Sequence, residues 1–473
     1  MESSQQKEKL RDKIQGIIFG AALGDAFGLA TEFMNKETAR KLYGDGPIKF
    51  GLAKGHEFYR DGHRCRWHEN DFTDDTDQML LILQCLLSSD GLLIPQEFAY
   101  SLKEWTEIGF PELDNKTCCG VGFTVGCVIG HTQFETNPHK AALDIWQAND
   151  RNLAANGAVM RTSVLGISLF HDESHVVRNA ANCAKVTHAD PRCIFSAVVV
   201  SVLISRMLRM EIGSTRKYNI PDSEKEKLLK LINSDATENY DEPTGTALKS
   251  ILSPKSVQKD KSRNILQSLW SPIARKFVKK PAMGSFSLPS HRPIDPLRIQ
   301  TPAVCSNDPD RFSTTLCGQN DLLMRMIEEV VSDYSFLIDK QQTQWNADVE
   351  RMCPPKNLHD LQLDERRSIG YTLKCVGSAL FCFSRNKADD MKSGDFFIRI
   401  ITDLTLEAGD ADTNAAVAGA LLGCRLGFKG LPSQWLNGLR HRKFLMEICD
   451  ELLELVMKQL SKSKQEIHGA QGL

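Results

Sequence analysis

Apolar positions along the chain recur with a period near 3.6 rather than 2, which predicts helices and few strands. The clearest stretch is 13–30, where Gly16, Gly20, Gly24 and Gly28 repeat every four residues along one face. Residues 412–428 repeat the device with Gly419, Gly423 and Gly427. Glycine costs a helix about 1 kcal/mol relative to alanine, so such a row predicts a second backbone packed close against it; a loosely helical Gly-rich loop is the other reading. Further helices are expected over 73–88, 95–108, 121–131, 158–170, 191–210, 322–337, 368–384, 393–408 and 443–463. The fold class is therefore all-α: one helical domain over 10–450, with flexible tails at 1–9 and 464–473.

One segment breaks the pattern. Residues 253–312 hold 8 of the 18 prolines, with 11 Lys/Arg against 4 Asp/Glu. Proline at that density interrupts helices, and the charge surplus opposes collapse. An irregular or disordered insertion between two halves of the domain is expected, with at most a weak polyanion or nucleic-acid surface. Elsewhere 58 Lys+Arg balance 60 Asp+Glu, a net charge of −2, so no global field draws the chain to nucleic acid or an anionic membrane. The 14 cysteines are scattered without a CxxC, several inside apolar runs. They read as reduced thiols in a cytosolic or nuclear protein rather than as a disulfide frame or a zinc site. No run of 18 apolar residues marks a membrane span, and a monomer is expected.

Candidate chemistry gathers at helix starts. Thr73-Asp74-Asp75-Thr76-Asp77 opens the helix at 73–88. A threonine cap with first-turn carboxylates is ordinary, but three aspartates in four positions repel one another unless a cation lies among them. Gly409-Asp410-Ala411-Asp412-Thr413 repeats the arrangement before a small-residue helix. Two such helix ends facing each other can enclose one or two Mg²⁺, ions that orient a substrate oxygen and activate water. In 24–32, Asp25 interrupts an apolar helix and Glu32 follows two turns later on the same face, a candidate general acid or base. Cys119-Gly120-Val121-Gly122-Phe123-Thr124 is a Gly-rich turn entering a helix, suited to phosphate. Asn156-Gly157 and Thr187-His188-Ala189-Asp190 each precede a helical run; plain helix entry and a structural histidine explain them nearly as well.

In this order the pieces resemble the ADP-ribosylglycohydrolase family. The stretches that carry the resemblance are GIIFGAALGDAFGLATEF (16–33), FTDDTDQMLLIL (72–83), NGAVMRTSVLGISL (156–169), THADP (187–191), GYTL (370–373) and AGDADTNAAVAGALLG (408–423). The resemblance implies a compact orthogonal helical bundle holding two Mg²⁺ (or Mn²⁺), cleaving the C1″ bond between ADP-ribose and a protein side chain or small conjugate. It implies metal ligands at Thr73, Asp74, Asp75, Asp410, Asp412 and Thr413, with Glu32, Asp74 and Asp75 in the catalytic group. Substrate contacts follow at Gly120, Gly122, Thr124, Asn156, Gly157, His188 and Tyr371. Arginine-type bacterial members carry an aspartate in the Gly-rich turn where this chain has Gly120, which points the acceptor away from arginine. The competing readings are an inactive ADP-ribose-binding or crystallin-like structural member and, more remotely, a Mg²⁺-dependent isoprenoid synthase. The latter lacks support because Gln78 stands where a DDxxD motif needs its last aspartate.

Overall fold

The computed structural model describes residues 2–46, 48, 58–114, 116–213, 220–234, 319–338 and 342–471. The expected insertion at 253–312 lies outside them. Among the described residues there is no β-strand, only the isolated bridges Phe110–Lys116 and Ala155–Tyr371.

The first half of the chain forms helices α1 (Glu2–Gly28), α2 (Lys36–Tyr43), α3 (Asp74–Ser88), α4 (Pro95–Ile108), α5 (Phe123–Ile129), α6 (Pro138–Ala148), α7 (Glu173–Lys185) and α8 (Pro191–Glu211), followed by α9 (Asp222–Asn233). The second half adds α10 (Gln319–Tyr334), α11 (Thr343–Met352), α12 (Thr372–Phe383), α13 (Ser393–Thr405), α14 (Ala411–Leu426), α15 (Ser433–Gly438) and α16 (Arg442–Gln471). The terminal stretches expected as flexible tails are helical, in α1 from Glu2 and in α16 through Gln471. Helix α8 is the one described helix long and apolar enough to cross a membrane by composition, but it is the central core helix, buried along nearly its whole length.

The glycine rows explain how the halves meet. Helices α1 and α14 run antiparallel with almost no side chain between them. A Cβ at Gly16 would overlap the Gly423 carbonyl oxygen, one at Gly20 that of Gly419, one at Gly24 that of Ala415, and one at Gly28 that of Ala411. The contacts are reciprocal at Gly419 and Gly423. Small residues allow this approach, where backbone meets backbone. Because the pairing is antiparallel, the C-terminal end of α1 lies beside the N-terminal end of α14. Two motifs nearly 400 residues apart are thereby joined. Overpacking at such a seam costs about 1–3 kcal/mol, so Gly20→Ala should lower the urea unfolding midpoint by a corresponding amount at constant m-value; an unchanged midpoint would mean that the helices separate freely.

One helix expected from periodicity is absent. Residues 158–170 form two short 3₁₀ turns, Asn156–Ala158 and Ser163–Gly166, rather than a helix. The segment is enclosed on every side, so its apolar residues mark burial rather than an amphipathic face. Most of its polar atoms find individual partners: Arg161 donates to Gln78 Oε1 and Thr187 Oγ1, each at 2.6 Å, with its Nε left buried without one, and Thr162 Oγ1 donates to the Val159 carbonyl at 3.1 Å. Gly166 presses on the Ser201 carbonyl of α8.

Candidate metal and active site

Helix α1 stops at Gly28, so Glu32 does not lie on a helix face as expected; it sits in the turn that follows. Two backbone bonds clamp this turn to the loop before α14: Phe33 N–H donates to the Gly409 carbonyl at 2.6 Å and Gly409 N–H to that of Met34 at 3.0 Å. Phe33 (φ 58°) and Gly409 (φ 75°) both take left-handed backbone to make the crossing. Side chains rarely hold that conformation unless their surroundings enforce it.

Asp25, buried in the last turns of α1, points at the start of α3. Its Oδ1 accepts from Thr73 N–H at 2.9 Å, and its Oδ2 from Thr76 N–H at 2.9 Å and Thr76 Oγ1 at 2.6 Å. Asp25 is thus a remote cap for α3, satisfying amides that the first turn leaves open. Thr73, the local N-cap, accepts from Asp75 N–H and donates to Asp412 Oδ2, both at 3.4 Å. Asp410 stands at the N-cap position of α14, yet its side chain makes no cap bond; it takes a hydrogen bond from Asn156 Nδ2 at 2.9 Å instead.

The result is two groups of three carboxylates, Asp25–Asp75–Asp412 and Glu32–Asp410–Asp412, each with oxygens within 4.8 Å of one another. Asp412 belongs to both. Withdrawal from water, then repulsion by Glu32 and the neighbouring aspartates, pushes Asp74 up to about 8. Burial followed by neighbouring carboxylates also lifts Asp75 and Asp412 well above the usual range, and burial raises Asp25 and Asp410. Asp75 Oδ2 is buried without a hydrogen-bond partner. Adjacent anions, an orphaned oxygen and hydroxyls from Thr73 and Thr413 form a donor set of the kind hard divalent cations bind. Asp77, the third aspartate of the run, is used otherwise. It pairs with Lys116 Nζ at 2.8 Å and accepts from Trp105 Nε1 at 3.3 Å.

These shifts set a pH dependence. Carboxylates whose pKa is raised by folding stabilise the protein below their ordinary value near 3.8 and lose that contribution as pH rises through the folded value, here about 6 for Asp77 and about 8 for Asp74. In EDTA the melting temperature should therefore fall between pH 6 and 8.5. Mg²⁺ should raise it, by an increment that grows with pH. An increment independent of pH would place the ion away from these aspartates.

Around the carboxylates stand the other expected residues. Asn156 N–H donates to the Gly370 carbonyl and Thr372 N–H to that of Ala154, each at 2.9 Å, so the 154–157 strip and Gly370–Tyr371 form one wall. His188 is buried behind Gly157, whose added Cβ would lie 3.1 Å from its ring, and burial holds its pKa well below the usual value. It is a neutral imidazole whose Nε2 has no partner. Tyr371 gives its hydroxyl to Asp348 at 2.9 Å and lies under Arg192, which also covers Trp345. Gly120 and Gly122 are open, while Thr124 is buried in the first turn of α5.

Sequence reasoning missed His63, Arg64 and Arg66, although the His-Arg-Cys-Arg-Trp run of 63–67 just before the Asp-rich motif is a visible signal. His63 Nε2 lies 2.6 Å from Glu32 Oε2, and Arg64 donates to the carbonyls of Ala30 and Glu32.

The sequence profile of the ADP-ribosylglycohydrolase family matches residues 6–279 and 314–461. The chain belongs to the ADP-ribosylglycohydrolase family. That is a hydrolase-type family, and membership sets the isoprenoid synthase aside. Among curated relatives, the chain is 25% identical over 218 residues to YegU of Escherichia coli K12, an uncharacterized protein, covering 44% of this chain and 58% of YegU. It is 28% identical over 196 residues to an uncharacterized Archaeoglobus fulgidus protein (41% of this chain, 56% of the relative). To the ADP-ribosylarginine hydrolase Tri1 of Pseudomonas putida it is 27% identical over 191 residues (38% and 43%). The chain thus spans about half the length of the curated relatives it matches. A solved ADP-ribosylglycohydrolase-related protein complex aligns with 95% of this chain and 99% of its own at 18% identity and a TM-score of 0.47.

Proposed function

We propose that the chain hydrolyses the C1″ bond of ADP-ribose conjugates at a site that holds two divalent cations, Mg²⁺ or Mn²⁺. The observation that carries this reading is the pair of carboxylate groups sharing Asp412, with Glu32 in one of them. Thr73, Asp74, Asp75, Asp410, Asp412 and Thr413 would hold the ions, which supply charge to orient ribose hydroxyls and acidify water. Asn156 keeps the Asp410 carboxylate aimed into the cluster, and Asp25 fixes the first turn of α3 on which Asp74 and Asp75 sit. Glu32 then handles the proton, taking it from water or giving it to the leaving atom as the C1″ bond breaks. Gly120, Gly122, Thr124, Asn156, Gly157, His188 and Tyr371 are assigned to the ADP-ribose moiety. All six expected metal positions are filled, which favours this over an inactive binding or structural member.

The acceptor follows from charge. The turn at Gly120 offers no carboxylate; its near neighbour is the Arg66 guanidinium, with Nη1 3.7 Å from where a Cβ would stand. A guanidine leaving group would meet a like charge there, so an oxygen-linked conjugate is the better substrate. Likeness to Tri1 supports the second reading, an arginine acceptor. A panel of ADP-ribosylated serine, ADP-ribosylated arginine, O-acetyl-ADP-ribose and poly(ADP-ribose), assayed with Mg²⁺ and with EDTA, should show Mg²⁺-dependent release of ADP-ribose that is fastest from an oxygen-linked conjugate. Release from none of the four defeats the proposal, and faster release from arginine defeats the charge argument alone.

A further inference from the structure

Residues 61–66 form a single short turn that grips Glu32 twice. Arg64, itself buried, pins the backbone: its Nη2 donates to the Glu32 carbonyl at 2.5 Å and its Nε to that of Ala30 at 2.9 Å, while Nη1 closes on Asp61 at 2.5 Å. Asp61 Oδ1 accepts from the backbone amides of His63 and Arg64, at 3.1 and 2.8 Å. The His63 side chain takes the other end, with Nε2 2.6 Å from Glu32 Oε2. Its ring is held between Phe33 and Trp67, each with a centroid separation of 5.0 Å.

The second ring nitrogen settles which atom carries the proton. His63 Nδ1 is hydrogen-bonded to Arg66 Nη2. A guanidinium only donates, so Nδ1 must accept, and the single ring proton resides on Nε2, aimed at Glu32. Arg66 Nη1 in turn donates to the Cys119 carbonyl at 3.0 Å, Nε donates to the His63 carbonyl at 3.2 Å, and the guanidinium lies 4.7 Å from the centre of the Trp67 ring. One unbroken chain of hydrogen bonds runs from the Gly-rich turn at 119–122, through Arg66 and His63, to the Glu32 carboxylate.

We propose that His63 and Arg66 form a positioning pair for Glu32, Arg66 holding the His63 ring through Nδ1 and His63 fixing the carboxylate rotamer through Nε2–H, so that the Gly-rich turn and the proton-handling group are held in register. This rests on the catalytic reading of Glu32. Neither residue touches the reacting bond. Their contribution is orientation, for which a displacement of about 1 Å costs on the order of 10²-fold in rate.

The test uses the full chain with Mg²⁺ and whichever of the four panel conjugates is released fastest. His63→Ala should lower kcat by about 10²-fold with KM little changed. His63→Gln, which keeps a donor near the Nε2 position, should recover most of the loss, and free imidazole should partly rescue His63→Gly. Combined with Glu32→Gln, His63→Ala should cost nothing further, because residues acting as a unit are not additive. Independently of turnover, ¹⁵N spectra of histidine-labelled protein should show His63 as the Nε2–H tautomer, and Arg66→Ala, which removes the donor to Nδ1 while leaving the Nε2–H bond to Glu32, should shift the Nδ1 resonance. Unchanged kcat in His63→Ala, a full additional loss in the double variant, or an Nδ1–H tautomer in the wild type each overturns the pair. If Glu32→Gln itself retains full activity, the catalytic reading of Glu32 has failed instead. If no conjugate is released by the wild type, the proposed function has failed, while the tautomer measurement still decides the geometry.

Discussion

Asp412→Ala is expected to reduce ADP-ribose release to the level of a no-enzyme control while helical circular dichroism is retained. Asp412 is the carboxylate common to both groups, so its loss removes a ligand from each of the two proposed ions. Asp410→Ala removes a carboxylate from one group and Asp74→Ala a proposed ligand that lies outside both, and each should also abolish turnover. The fold should survive for a physical reason. In metal-free protein Asp412 is a buried carboxylate among like charges, lifted well above its ordinary pKa, and removing it relieves repulsion that outweighs its hydrogen bonds from Thr73 Oγ1 and Thr413 N–H. The melting temperature of Asp412→Ala in EDTA at pH 8 should therefore equal or exceed that of the wild type, whereas the increment on adding Mg²⁺ should vanish. Stability of this kind traded for function is usual where a site is built from like charges. Retained turnover in metal-free buffer would remove the two-cation site.

Glu32→Gln should lower turnover by about 10²–10⁴-fold, the usual range for a lost general acid or base. The substitution is conservative in shape. Glutamine keeps a carbonyl oxygen able to accept from His63 Nε2–H, and the backbone bonds that join Phe33 and Met34 of the turn to Gly409 do not involve the side chain. What disappears is the capacity to hold and release a proton, so the loss should fall on kcat, with substrate affinity and Mg²⁺ binding largely kept. The effect should be larger for arginine-linked ADP-ribose, whose strongly basic leaving group needs protonation, than for an O-acetyl conjugate, whose leaving group departs as a weak base. Equal losses for the two would mean that Glu32 serves water activation rather than the leaving atom. A loss below about tenfold would take Glu32 out of the proton step.

Much of this was legible in one dimension because it depends on local rules. Helix period, the all-α class, the two Asp-Thr helix starts and the glycine rows all follow from neighbours within a few residues, and each stands where the pattern put it. The glycine rows also announced a close backbone partner without naming it. Other features depend on what surrounds a residue, and periodicity cannot report that. Residues 158–170 look helical, but their apolar residues serve burial on all sides, so no single face had to be preserved. Helices α2, α6, α9, α11 and α15 leave little periodic signal because their apolar positions are few and their polar residues many, and α7 because it buries asparagines, Glu173 and Lys185 among its alanines and valines.

The site divides along the same line. That the helix starts at Asp74–Asp75 and Asp410–Asp412 carry clustered carboxylates is readable from composition, and the resemblance implies that they face each other, as Asp75 and Asp412 do. That Asp25 caps α3 from another helix, that Asp77 is withdrawn into an ion pair with Lys116, and that a turn at 61–66 grips Glu32 was decided only by the antiparallel seam between α1 and α14 and the loops that cross its end. Hydrogen bonds and charge repulsion act through space over a few ångströms, so partners 31 to 339 positions apart in the chain leave no periodic trace. A sequence states which groups can donate, accept or repel; only packing states which of them meet.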